Sequence, residues 1–359
     1  MKIARATIVL AVCVAAACGG RTTAPTGTTA TPIKHLVVIY GENVSFDHYF
    51  GLYPRATNPP GEPSFTPVAN TPVPNGLSGD LLTNNPNARN PENGAGATNP
   101  FRLDRTQAAT ADQTHSYTPE QYAYHDGKAD LFPKYTGHAG SGGTGAFATK
   151  GLVMGFFDGN TVTALWNYAQ RFAMSDNAYG DVYGPSTPGA LALVSGQTNG
   201  MTAKTNPGRV PAYVVPDGQG GMTVVSDPDP GLDSCATAGA KAADVRMTGR
   251  NIGDLLNDAG ISWGWFQGGF DISVVNANGS TGCRRTTYSQ IVTFNVADYV
   301  PHHEPFQYYA STANPTHARP LSIGVVGTAA DKATNHQYDV RDFYAAVSAG
   351  NFPAVSFLK

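Results

Sequence analysis

The sequence predicts an α/β fold, with helices on both faces of a mostly parallel sheet. Three observations carry that expectation. Short apolar runs rich in β-branched or aromatic residues recur at 33–40, 261–266 and 353–358. Segments with helical apolar spacing stand between them, and Gly260 and Gly350 close two of these segments just ahead of the next run. The runs are continuous rather than alternating, as strands covered on both faces are.

In chain order, Ile33-Lys34-His35-Leu36-Val37-Val38-Ile39-Tyr40 reads as a buried first strand, bounded by Gly41. Residues 54–100, rich in Pro, Asn, Gly and Thr, read as a long surface excursion. Val162, Leu165, Trp166, Ala169 and Phe172 share one helical face over 161–173, with Asn160 or Thr161 as cap. A short helix is expected at 188–195. The polar, Gly/Pro-rich stretch 200–250 reads as an insertion rather than a second core. Asn251 can cap a helix through Leu255 and Leu256, which Gly260 ends before a strand at 261–266. A helix at 339–347 and a strand at 353–358 repeat the alternation, without an internal sequence repeat.

The chain of 359 residues fits one large domain or two ordinary ones, and its 41% apolar content is enough for a sizeable core. A net charge of −3 argues against a nucleic-acid partner. Lys2 and Arg5, the apolar stretch Ile8 to Val14, and Ala15, Ala16 and Ala17 read as an export signal over 1–17. The stretch is too short to span a bilayer. Cys18 follows, opening a flexible tether over 18–32. A Cys after small residues resembles a lipoprotein signal, although Ala15 stands where Leu is usual. The expectation is an exported protein: periplasmic, secreted, or an outer-membrane lipoprotein tethered through a lipid on Cys18. A buried first helix is the plainer alternative. Cys235 and Cys283 lie in loop-type sequence and in an oxidising compartment suggest a disulfide, with two free thiols as the alternative. Neither shows a ligand-type partner at close spacing, which argues against a metal site there.

In α/β sheets ligands gather at the carboxyl ends of strands, so polar residues just after a strand come first. Glu42 follows the first strand and is a hard-cation ligand type; Asn43 can donate its amide to a phosphoryl oxygen or offer its carbonyl to a metal. Alternatively Asn43 or Ser45 merely caps the next helix, with Asp47 and His48 on its wet face. In Tyr183-Gly184-Pro185-Ser186-Thr187-Pro188-Gly189, Pro188 suits a first helical turn with Ser186 or Thr187 at the N-cap. A helix N-terminus favours an anion, and a serine beside a divalent cation can attack phosphorus; simple capping is the alternative. His302 and His303, between Pro301 and Glu304-Pro305, read as extended, with diverging protonated imidazoles that reach two oxygens. His115 is a third loop histidine; any one of them can equally be a surface residue. Asp331, His336 and Asp342 read as ordinary helix or loop polar residues.

Taken together, these segments resemble a known family. His35-Leu36-Val37-Val38-Ile39-Tyr40-Gly41-Glu42-Asn43-Val44-Ser45-Phe46-Asp47-His48-Tyr49-Phe50-Gly51 is similar to the N-terminal signature of the bacterial phosphoesterase family of non-haemolytic phospholipases C and acid phosphatases. Met154-Gly155-Phe156-Phe157-Asp158-Gly159-Asn160, Gly184-Pro185-Ser186 and Ala259-Gly260-Ile261-Ser262-Trp263 look similar as well. His302-His303-Glu304-Pro305-Phe306-Gln307-Tyr308-Tyr309 and Thr316-His317-Ala318-Arg319-Pro320 look more like the acid phosphatase branch.

The resemblance implies an alkaline-phosphatase-like three-layer sandwich over 33–359. Glu42, Asn43 and Ser186 would bind a divalent metal, Ser186 would be the nucleophile, and His115, His302 and His303, with Asn43, would hold the phosphoryl group. The expected activity is acid phosphatase-like hydrolysis of a phosphate ester. Phospholipase C-type action on lipid head groups is one alternative, and a non-catalytic exported lipoprotein another. The family's further histidine and adjacent aspartate pair are expected downstream of 353–358. The sequence therefore reads as C-terminally truncated, with weak metal binding and slow or no turnover.

Overall fold

Strand pairing organises the centre of this computed structural model, which describes residues 30–177, 179–180, 182–203, 213–219, 221–236 and 245–359. In chain order the strands are β1 (Leu36–Ile39), β2 (Phe101–Leu103), β3 (Gly155–Phe157), β4 (Met201–Ala203), β5 (Val214–Pro216), β6 (Met222–Val224), β7 (Val245–Met247), β8 (Trp263–Gln267), β9 (Thr286–Ser289), β10 (Phe294–Ala297), β11 (Gln337–Asp339) and β12 (Val355–Leu358). The α-helices are α1 (Phe46–Phe50), α2 (Asp80–Thr83), α3 (Pro86–Arg89), α4 (Tyr117–Tyr124), α5 (Phe132–Tyr135), α6 (Thr163–Ala169), α7 (Ser186–Ser195), α8 (Ile252–Asp258) and α9 (Val340–Ser348). The expected export signal and Cys18 lie outside the described residues.

The central sheet has the order β1-β12-β8-β11 and is parallel throughout. β8 is buried at every position, which explains its unbroken apolar sequence. Trp263 and Trp265 face one side and pack with Leu191 and Val194 of α7, Leu256 of α8, and Phe306, Tyr308 and Phe357. Phe266 faces the other side and meets Tyr338, Phe343 and Ala346, the last two from α9. The chain is thus an α/β sandwich with a helix-bearing layer on each face. Local chemistry fixes the helix ends. Asn251 with Asp254, and Asp339 with Asp342, form capping boxes at the starts of α8 and α9.

Two expectations are corrected. β1 is an edge strand of the described sheet rather than a buried one: Leu36 is 54% and Ile39 78% exposed. Asp331, His336 and Asp342 are buried rather than ordinary surface polar residues. Elsewhere the boundaries move. The first helical face is shorter, beginning after Val162, and the helix expected at 188–195 starts earlier, at Ser186.

The described residues of the 200–250 stretch make no separate core. Met201, Val214, Val224, Val245 and Met247 of its two small antiparallel sheets join the same cluster as Trp263 and Trp265. The 54–100 excursion is tied down by Asp158, which follows β3. The Asp158 carboxylate accepts from the Thr57 backbone N–H at 3.0 Å and from Arg102 Nε at 2.9 Å, while Arg102 also pairs with Glu62. Tyr53 and Phe65 then pack edge-on against the fully buried Trp166.

Candidate functional site

Glu42 leaves the carboxyl end of β1 and Lys359 that of its neighbour β12, so parallel pairing brings them together. Lys359 Nζ stands 2.6 Å from Glu42 Oε1 and 5.0 Å from the centre of the Tyr40 ring. His303 Nε2 approaches the same oxygen at 3.3 Å. Ser186, the first residue of α7, brings its hydroxyl within hydrogen-bonding reach of the Glu42 carboxylate. Burial is the strongest single influence on Glu42 and pushes its pKa up. Lys359, His303 and Ser186 together outweigh it and hold the group below its ordinary value.

Two glycines permit this meeting. Gly184 has φ of 113°, a backbone state that side-chain-bearing residues rarely adopt, and its N–H donates to Glu120 of α4 at 2.7 Å. Gly189 faces Tyr40: a Cβ there would stand 2.8 Å from the Tyr40 hydroxyl and would push that ring aside from its place beside α7. The resulting cavity, of about 380 Å³, is lined by Tyr40, Glu42, Asn43, Gly184, Pro185 and Gly189.

The histidine pair departs from expectation. His302 and His303 lie in a 3₁₀ turn, Pro301–His303, with rings 4.7 Å apart and at 88°. Proline at the first position of the turn favours that geometry over an extended one. His303 turns to Glu42, whereas His302 turns to Asp229, with Nδ1 3.3 Å from Asp229 Oδ1, and has Nε2 4.0 Å from Asp227 Oδ2. Burial, then His302 and Lys359, push the His303 pKa down to about 4, against Glu42 and Asp227. These surroundings favour the neutral imidazole over the charged form. His115 Nδ1 bonds to the Gln113 carbonyl at 2.8 Å, and the residue feels the site through Glu120 rather than through a direct bond to Ser186.

Asp227, Asp229 and Lys359 escaped the sequence reading. The N-cap position of α7 is Pro185, not Ser186 or Thr187. The Thr187 N–H, one of the donors expected to receive an anion, is taken by Asp227 Oδ1 at 2.8 Å. The signal that could have found the aspartates is Asp227-Pro228-Asp229-Pro230.

Among the described residues, a divalent ion implied by the resemblance would find the Glu42 carboxylate already paired with Lys359 and that of Asp227 already accepting the Thr187 N–H. Hard cations collect several oxygen ligands, commonly anionic. Among the described residues no set of three His, Cys, Asp or Glu ligand atoms forms around Glu42. The donors Glu42, Asn43 and Ser186 do not by themselves fit a firmly held ion. A cluster that could hold a metal by spacing lies elsewhere: Asp233, Cys235 and His317, with ligand atoms within 4.8 Å of one another. It corrects the expectation that Cys235 has no ligand-type neighbour. The Cys235 sulfur, however, is bonded to that of Cys283 and offers no thiolate. Asp233 instead accepts from His317 Nε2 at 2.8 Å, from Gln307 Nε2 at 3.1 Å and from the Tyr299 hydroxyl.

Beside it Glu304 is fully buried, and neither carboxyl oxygen has a well-formed hydrogen bond. Desolvation and the Asp233 charge raise its pKa well above the ordinary value.

A serine at a helix start, a carboxylate, an ammonium and one imidazole thus converge at the carboxyl end of a parallel sheet. One family model covers nearly all of the described residues. It matches residues 33–359, and the chain belongs to the phosphoesterase family.

Proposed function

We propose that the protein hydrolyses phosphate monoesters through a phosphoserine on Ser186. Family membership implies a phosphate-ester substrate and cleavage of a phosphoric ester bond. The observation that carries the finer reading is the convergence of Ser186, Lys359 and His303 on Glu42 beside an open cavity. The Ser186 proton passes to Glu42 as Oγ bonds to phosphorus. Lys359 and the Asn43 amide balance charge on the phosphoryl oxygens, and His303 borders the same group. The ester P–O bond breaks, and His302 gives the leaving oxygen a proton from Nε2. Water then attacks the phosphoserine, returns a proton to His302, and Ser186 recovers its own from Glu42 as phosphate leaves.

Export to an oxidising compartment belongs to the same proposal, since Cys235 and Cys283 are bonded. The monoester is the first choice of substrate, and a phospholipid head group is the alternative. Comparing an aryl phosphate with an aryl phosphorylcholine, for the native chain and Ser186→Ala, tests both points. Hydrolysis of the first alone, lost in the variant, is the expected result. Hydrolysis confined to the second would make the protein a diesterase, and hydrolysis by neither would make it a binding protein.

A further inference from the structure

The geometry points to Asp229 as the positioning residue for His302, supplied by the Asp227-Pro228-Asp229-Pro230 turn. The inference rests on the proposed role of His302 as proton donor.

A residue before proline is driven out of the helical region into extended backbone, and each proline fixes its own φ. Asp227 and Asp229 each precede a proline, so both are held extended. In extended chain, residues two apart share a face. The two carboxylates accordingly point the same way while Pro228 between them is buried.

The turn is also fixed from outside. The Pro228 carbonyl accepts from the fully buried Tyr308 hydroxyl, and the Gly231 N–H donates to the Val245 carbonyl at 2.8 Å. Farther along, Asp233 is locked to His317, Tyr299 and Gln307, and Cys235 is bonded to Cys283. A segment anchored in this way presents its two aspartates at fixed positions.

What they meet is the site. Asp227 accepts the Thr187 N–H, next to Ser186, and Asp229 faces His302 Nδ1 at 3.3 Å. A carboxylate on Nδ1 keeps a proton on that nitrogen, and it holds the ring plane with Nε2 4.0 Å from Asp227 Oδ2, the carboxylate that accepts the Thr187 N–H of α7. Nε2 is the nitrogen a departing oxygen would use. The Asp229 contribution should therefore scale with how much the leaving group needs a proton.

The test is a series of aryl and alkyl phosphates of decreasing leaving-group acidity, from p-nitrophenyl to phenyl to ethyl phosphate. It compares the native chain with His302→Ala, Asp229→Asn, Asp229→Glu and the double variant. His302→Ala should lose about 10²- to 10⁴-fold on the poorest leaving groups, and far less on p-nitrophenyl phosphate. Asp229→Asn should reproduce that leaving-group bias at smaller amplitude, Asp229→Glu should recover part of it, and the double variant should be no worse than His302→Ala. Ring ¹⁵N spectra read the contact without turnover: the donor ring carries protons on both nitrogens, and once Nε2 has lost its own a single Nδ1-protonated form is expected in the native chain and a mixture in Asp229→Asn.

Equal losses on every leaving group, additive losses in the double variant, or unchanged ring spectra would overturn the role of Asp229. Undiminished hydrolysis by Ser186→Ala would instead overturn the reading of the site on which it rests.

Discussion

Lys359 and Glu42 form an ion pair of 2.6 Å across 317 positions of sequence, because β1 and β12 run side by side and end together. The ammonium occupies the carboxylate that a divalent cation would need. Replacing Lys359 with Met should free Glu42 and tighten Mn²⁺ binding several-fold by calorimetry, with weak binding in the native chain. Micromolar Mn²⁺ affinity in the native chain, or no gain in Lys359→Met, would contradict the competition.

Glu304 makes a pH prediction whose sign can be worked out. In the unfolded chain it loses its proton near 4.5, whereas burial first and the Asp233 charge second keep it protonated to much higher pH in the fold. Above that value the unfolded state binds fewer protons, so stability falls as pH rises toward the raised folded pKa. Glu304→Gln keeps the shape and removes the titration. Its melting temperature relative to the native protein should climb between pH about 5 and about 8, by about 2 °C or more. A constant difference would show that Glu304 ionises as readily in the fold as outside it.

Asp158 should be the anchor of the 54–66 segment. Its loss leaves Arg102 without one of its two carboxylates and the Thr57 N–H without its partner. Breaking a buried charge pair destabilises by about 3–5 kcal/mol, and the exposure of Arg102 places this case at the lower end. Urea denaturation of Asp158→Ala measures it, and proteolysis should cut first within 54–66. A variant within about 0.5 kcal/mol of native would mean that the aromatic packing on Trp166 alone holds the segment.

The Cys235–Cys283 bond closes a loop of 48 positions. Chain-entropy reasoning gives about 4 kcal/mol for a loop of that length. Because the bond also holds the segment that carries Asp227 and Asp229, the Cys235→Ser, Cys283→Ser double variant should lose stability, and phenyl phosphate hydrolysis should fall more than p-nitrophenyl phosphate hydrolysis. Unchanged stability on removal of both sulfurs would argue that the Asp233 network suffices.

How much of this could be read from the chain divides along physical lines. The helices α8 and α9 and the unbroken apolar strand β8 are legible because local residues decide them: Asn251 as a cap, Gly260 and Gly350 as stops. Glu42 and Ser186 stood out by position, one after a strand and one at a helix start. Lys359 did not, since its role arises only when β12 pairs with β1. Asp227 and Asp229 sit in a stretch whose composition reads as loop, and nothing local shows that Tyr308, Val245 and a disulfide hold it against His302. The histidine pair was misread as extended because the influence of Pro301 at the start of a 3₁₀ turn was set aside. The edge position of β1 could not be told from a central one, since apolar periodicity reports burial of faces and not the order of strands.

The account stands most directly on Ser186 as the atom that takes the phosphoryl group. Rapid acid quenching during turnover of a ³²P-labelled aryl phosphate, followed by peptide mapping, reads that atom. The account predicts phosphoserine on the peptide containing Ser186, and loss of both label and hydrolysis in Ser186→Ala. Steady hydrolysis with label on another residue, or with no labelled residue and an active Ser186→Ala, would contradict it.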